Sequence, residues 1–396
     1  MKRITHRGVA AFGLTLLALA LAGCGGGGGG GSSSSTGTNG AGGNGSTSTS
    51  SNGAALLAAY TPPAAIVGDV VPLASVAAFT VGNSAIQSAC SGSTVGASVV
   101  NAPDVVVFSA NGASIKAQEL AADLAEQAIA NVRTYFGQAA STVGFDGTNK
   151  IQICVDTQLG VSESNGTSIT GQTALNVSQE MSADSPNFDS RYPGASSYTS
   201  PVGTSYFDLF RHEMTHAFNN AAVEPFGNGL EVWYLEGTAS LVAQLPIPDK
   251  ATVLGYANSM DLLSLTNNDS NLTVLPAYAE TINYLVESAP GALNNGQASL
   301  QTLLSTFKAD ALAVCAQPIP QGLGPTAAEL VGMPSGDYNV CNSAPGTVDT
   351  RIQAAFDQAF NSVMKDSNGA PLLLHTADGA NSLEATLYQR LNGFLQ

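Results

Sequence analysis

Apolar positions along the chain recur with two different periods, and each period predicts a different element. Residues 103–109, PDVVVFS, form a β-branched run that reads as a strand. Residues 115–136 then place Leu120, Leu124, Ala128, Val132 and Phe136 on one stripe, as a helix does. Ser114 can cap that helix and Gly137 can end it. In KIQICVD, Ile151, Ile153 and Val155 alternate with Gln152, Cys154 and Asp156, the pattern of a half-buried strand. Residues 173–178, TALNVS, alternate too and are expected at a sheet edge, where an extended peptide could add as a further strand. Residues 183–203 read as a polar loop carrying Phe188, Tyr192 and Tyr198.

From there the period becomes helical. Helices are expected at about 206–220 and 230–244, and again within 276–289, 298–312, 347–364 and 382–395. A Pro- and Gly-rich stretch at 315–346 reads as loop. Strands with a helix first and helices afterwards predict an α+β fold. Its N-terminal lobe would hold a mixed sheet, and a mainly α-helical C-terminal lobe would follow. No internal repeat is visible.

The first 54 residues carry no such pattern. Residues 1–23 show a basic head, an apolar run and small residues before Cys24, an export signal too short for a spanning helix. Leu21-Ala22-Gly23-Cys24 resembles the bacterial lipoprotein box, which implies cleavage before Cys24 and a lipid on its sulfur. Gly25 instead of Asp implies the outer membrane by the same resemblance. Residues 24–54 are almost wholly Gly, Ser, Thr and Asn after the cysteine and read as a disordered tether spanning roughly 30 Å. The folded part is expected as 55–225 and 226–396.

Net charge is −16, and three units more negative without Lys2, Arg3 and Arg7. No basic stripe is present, which argues against a nucleic-acid partner. Cys90, Cys154, Cys315 and Cys341 remain after Cys24, an even number suited to two disulfides in an exported domain. Three connectivities exist; Cys90–Cys154 with Cys315–Cys341 keeps each pair within one half of the chain. No CxxC or CxxH spacing suggests a cysteine metal site.

The chemistry concentrates in RHEMTH, residues 211–216. The chain has four histidines, and two of them stand four residues apart. On a helix His212 and His216 share a face and can aim two imidazole nitrogens at one ion. Glu213 projects at a neighbouring angle, suited to a water beside that ion. A third ligand must come from elsewhere. Glu224, Glu231 and Glu236 follow; Glu236 comes after nineteen intervening residues, room for a turn and a returning helix, and Glu231 is the rival. HEMTH followed at this distance by WYLEGTA resembles the gluzincin metallopeptidases, the thermolysin-like and M1 aminopeptidase-like enzymes.

That resemblance implies a zincin-like N-terminal lobe, zinc held by His212, His216 and Glu236, and Glu213 as general base. It also implies a Tyr or His as oxyanion donor, for which Tyr278 and His375 are the candidates. Three departures stand against it. Ser240 and Ala243 occupy places where relatives carry acids, and no GAMEN-like segment is found. The expected function is an extracytoplasmic zinc metallopeptidase acting on peptides or proteins, anchored to the membrane through Cys24. The alternative is a catalytically inactive surface lipoprotein on the same scaffold, used for binding or adhesion. No G-x-S-x-G supports a serine hydrolase.

Overall fold

Two valine- and isoleucine-rich runs stand side by side at the centre of the sheet. The computed structural model describes residues 52–80, 89–139, 143–160, 162–167, 175–200, 204–265, 267, 269–317 and 350–396. The expected signal, Cys24, Cys341 and nearly all of the tether lie outside these residues. Among them, strands β1 (Val70–Pro72), β2 (Ser98–Asn101), β3 (Val105–Ala110), β4 (Ile151–Asp156), β5 (Glu163–Thr167) and β6 (Leu175–Met181) form one sheet. Its order is β1-β2-β3-β4-β6-β5. β3, β4 and β6 are parallel, with Val107 opposite Ile153 and Ile153 opposite Ser178. β1, β2 and β5 pair antiparallel. The fold is therefore α+β with a mixed sheet, as the pattern predicts.

Two strand expectations need correction. Of the strand expected at 173–178, residues 175–178 are observed within β6 (Leu175–Met181) and 173–174 lie outside the described residues; β6 lies between β4 and β5 and is no edge. Residues 163–167, too polar and too short on apolar period to be read as a strand, take the edge instead. β4 is buried at all six positions, not at alternate ones. Its alternation separates two cores and not core from water. Ile151, Ile153 and Val155 face the helices, while Cys154 joins Phe79, Cys90, Val106 and Phe108 on the other face. The segments around residues 79 and 90 cover that second face, and the Cys90–Cys154 disulfide fastens them there. The expected pairing is thus present. Cys315 is disulfide-bonded as well.

Local rules set the first long helix. α3 in chain order, Ile115–Phe136, is preceded by α1 (Asn52–Ala59) and α2 (Ala64–Gly68), neither of which the pattern reveals. Ser114 Oγ accepts from the Ala117 N–H at the start of α3, and Gly137 closes its end at φ +70°. α1 begins within the expected tether, and the Gly53 N–H donates to Asp189 Oδ1 at 2.6 Å. Residues 52–54 therefore belong to the fold. A short turn α4 (Phe188–Arg191) interrupts the expected polar loop, and Phe188 and Tyr192 each pack edge to face on Tyr206, the first residue of the next helix.

That next helix, α5 (Tyr206–Val223), starts with a capping box between Ser205 and Asp208. α6 (Val232–Ala243) crosses it, and α8 (Leu275–Val286) lies on α6. α7 (Lys250–Ser259) follows, a helix that the apolar pattern does not reveal. α9 (Ala298–Cys315), α10 (Thr350–Val363) and α11 (Leu383–Phe394) complete the helical part. One hydrophobic core runs without a break from Leu57 on α1 to Phe394 on α11. No helix among the described residues is long and apolar enough to cross a membrane.

The α6–α8 contact depends on Gly237. A Cβ there would meet Tyr278 O at 2.7 Å and Ile282 Cγ1 at 2.8 Å. Gly237→Ala is expected to destabilise the protein by about 1–3 kcal/mol, because backbone of α8 would have to move. Denaturant unfolding measures this; a midpoint equal to wild type would refute the close approach.

Candidate metal centre

α5 and α6 bring three donor atoms to one point. His212 and His216 sit one turn apart on α5, both buried, with ring planes 81° apart. Their Nε2 atoms are separated by 3.1 Å. Glu236 Oε2 on α6 lies 3.3 Å from His212 Nε2 and 3.7 Å from His216 Nε2. A triangle with these sides has a circumradius of about 2.0 Å, matching the 2.0–2.1 Å bonds that zinc makes to nitrogen and carboxylate oxygen. A tetrahedral ion lies slightly off the plane of three of its ligands, which these spacings also allow. Chemistry and geometry therefore fit a metal ion held by His212, His216 and Glu236.

The crossing that delivers Glu236 is held by polar and steric contacts together. Asn219, three residues beyond His216, donates through Nδ2 to Thr238 Oγ1 at 2.9 Å, two residues beyond Glu236. Gly237 lets α8 back the same turn of α6. Glu236 is 3 % exposed, and its Oε2 has no hydrogen-bond partner. Burial pulls His212 and His216 down to about 4; for His216 the Glu236 charge opposes this. Both rings are thus neutral at pH 7, the form a metal requires. Burial pushes the Glu236 carboxyl up to about 7, and His216 works against that rise. Three buried groups that suppress their own charges form a site that a cation would satisfy.

Glu213 is 1 % exposed and lines a small cavity together with His212, Glu236, Ser162, Thr204 and Leu272. Its volume is about 20 Å³, room for about one water. Ser162 connects the cavity to Glu180 on β6, a residue that pattern reading passes over. Ser162 Oγ donates to Glu180 Oε2, and Ser178 Oγ donates to Oε1 at 3.0 Å. Burial pushes Glu180 up to about 7 against both hydrogen bonds. No local signal marks it: it is one acid in an alternating strand.

The remaining candidates stand elsewhere. Glu231 is not the third ligand of this group. It belongs to a separate cluster with Asp357 and His375, and the Trp233 Nε1–H donates to its Oε2. Burial pushes Glu231 up to about 8, opposed by His375. At His375 burial acts downward, but the Asp357 hydrogen bond, the Glu231 charge and the Leu263 carbonyl outweigh it and raise the ring to about 9. Tyr278 is an anchor: its OH accepts from Asn267 Nδ2 at 2.7 Å and lies 3.0 Å from Asp269 O, to which it can donate. It is absent from the residues lining the small cavity. Ser240 Oγ is buried and makes no hydrogen bond, so it orients neither histidine. Among the described residues His212 Nδ1 likewise has no hydrogen-bond partner.

Fold and site together define an α+β protein with a buried His/Glu group able to hold a metal ion. Comparison with protein-family profiles and with curated proteins finds no match to this chain.

Glu180 gives the site a testable pH signature. Its folded-state carboxyl lies above the ordinary 4.5, so its stabilising contribution is complete below about pH 4.5 and lost as pH rises through about 7. Glu180→Gln should remove that loss. Relative to wild type, the variant should be more stable at pH 8 than at pH 5 by about 1–3 kcal/mol. Thermal melts at both pH values decide it; the same offset at each would show that Glu180 does not titrate in this range.

Proposed function

We propose that the chain is a zinc-dependent metallopeptidase of gluzincin type, with a zincin-like arrangement of sheet and active-site helix. The observation that carries this reading is the 3.1, 3.3 and 3.7 Å triangle of donors, with Glu213 on the wall of the adjoining one-water cavity. Binding of an ion alone would need no such carboxylate. When bound there, zinc supplies a Lewis acid for a carbonyl oxygen and lowers the pKa of water toward 7. Glu213 takes the proton from the attacking water and returns it to the leaving amine. His212, His216 and Glu236 hold their positions through the α5–α6 crossing and not through loops. The hydroxyl of Tyr278, the expected oxyanion donor, accepts from Asn267 Nδ2 and can donate to Asp269 O.

A second reading, a non-catalytic scaffold that retains the metal, is favoured by two observations. The cavity lined by the described residues holds about one water, and among those residues His212 Nδ1 has none of the carboxylate or carbonyl partners that usually orient a ligand histidine. The two readings separate in one experiment. Glu213→Gln should keep the wild-type zinc content and lose peptide cleavage by about a thousandfold, within the range seen when a general base is removed. Cleavage of a mixed peptide library by the zinc-loaded wild type is the reference. No cleavage by either protein at full zinc would support the scaffold reading.

We also propose that the domain is exported and lipid-anchored through Cys24, outside the cytoplasm. The lipoprotein-box residues carry this, and the Cys90–Cys154 disulfide supports an oxidising compartment. Cys24→Ala should move the protein from the membrane fraction to the soluble fraction and abolish labelling by a clickable fatty acid. Unchanged fractionation and labelling would refute the anchor.

A further inference from the structure

A second convergence of donors lies at the N-terminal end of α6, around Glu231. His375 Nδ1 stands 2.6 Å from Asp357 Oδ1 on α10. Around its other nitrogen, Nε2, three oxygens gather from three segments: Leu263 O at 2.8 Å, Glu231 Oε2 at 3.6 Å and Glu384 Oε1 at 3.9 Å. A histidine that binds a metal through one nitrogen commonly gives its second N–H to a carboxylate, the place Asp357 takes here. Ligands about 2.1 Å from one ion lie roughly 3–4 Å from one another; the three oxygens stand 2.8, 3.6 and 3.9 Å from Nε2, and Glu231, Asp357 and His375 each bring a donor atom within 4.8 Å of the other two.

Glu231 adds an independent sign. Its side chain is 7 % exposed, and its Oε1 is buried with no hydrogen-bond partner. A buried carboxyl oxygen without a partner is costly, and a cation bound beside it would offset that cost. Solvent reaches the group through a cleft of about 670 Å³ lined by Asp261, His375 and Glu384. Three carboxylates, those of Glu231, Asp357 and Glu384, lie within 4 Å of this single imidazole.

We propose that this group is a second divalent-cation site, with His375 Nε2, Glu231, Glu384 and Leu263 O as ligands and Asp357 orienting the ring. Binding replaces a proton: the cation takes the place of the Nε2–H that otherwise points at Leu263 O, and that proton leaves to solvent. The ion ties the N-cap of α6 to α10, α11 and the segments at 263 and 375. It is therefore structural, and the assignment does not depend on the hydrolase reading.

The test uses the full chain stripped with chelator and titrated with Zn2+ or Mn2+ alone. A His212→Ala/His216→Ala chain should still bind about one ion, raise its melting temperature on binding, and lose at least tenfold in affinity on adding Glu384→Gln. Glu384 is partly exposed, so that change is mild for folding. If the double histidine chain stays folded by circular dichroism yet binds no ion, the cluster is a self-satisfied ion pair and the proposal falls. If that chain does not fold, Mn2+ titration of wild type and Glu384→Gln by electron paramagnetic resonance replaces it. A drop of one bound equivalent in Glu384→Gln supports the site, and equal stoichiometry and affinity overturn it. A wild-type chain with a single ion, lost in Glu384→Gln but kept in the double histidine chain, would uphold this site while refuting the metal centre on α5.

Discussion

The fold around the candidate centre turns on a buried carboxylate oxygen that has no hydrogen-bond donor. Glu236 Oε2 faces two neutral imidazole nitrogens and has no hydrogen-bond donor among the described residues. An isolated buried carboxylate is costly by several kcal/mol unless a proton or a cation joins it. Hydrophobic packing must therefore force the three groups together, and it does so through the continuous core that runs under α3, α5, α6 and α8. Phe136 of α3 stacks on Phe218 of α5 at 4.2 Å, two residues beyond His216. Asn219 and Thr238 fix the crossing, and Gly237 allows α8 to close behind it. Each contact is ordinary alone. Together they hold the donors at separations that no donor requires for itself.

Much of this was legible because it depends on short-range rules. Ser114 and Gly137 bracket α3 by capping chemistry that any sequence window shows. The i, i+4 histidines need only helical geometry, and Glu236 needs only enough intervening chain to return. What stayed hidden is set by neighbours distant in sequence. Whether β6 is an edge depends on β5, a strand of Glu, Ser, Asn, Gly and Thr without apolar period. Whether β4 is half or fully buried depends on what covers its Cys154 face, namely residues around Phe79 and Cys90. Asp357 and Glu384 look like common helix acids in the sequence. Only the tertiary fold places them around His375.

The rivalry between Glu231 and Glu236 shows the limit clearly. Both precede or lie within one helix, five residues apart, and either spacing suited a third ligand. Five residues on a helix turn about 140° beyond a full revolution, so the two side chains leave α6 on different sides. Glu236 turns toward α5, whereas Glu231, at the N-cap, turns toward α10 and the segment at His375. Spacing alone cannot decide which side faces α5. The packing of Trp233 and Tyr234, both buried against Phe360 and Phe356, sets the rotation of the helix and thereby the choice.

One twelve-residue helix thus carries the consequences of both clusters. At its N-cap, Glu231 is drawn toward a cationic imidazole, and one turn later Glu236 is drawn toward two neutral ones. The difference follows from surroundings and not from residue type. His375 has Asp357 and a backbone carbonyl to accept from both its nitrogens, so it holds a proton on each. His212 has no acceptor at Nδ1 and lies deep in the core, so burial keeps it neutral. A neutral pair beside a carboxylate offers lone pairs to an ion at once, while the imidazolium must first give up a proton. Metal affinity at the α5–α6 crossing should accordingly be the less pH-dependent of the two above neutrality, because its histidines have already lost theirs.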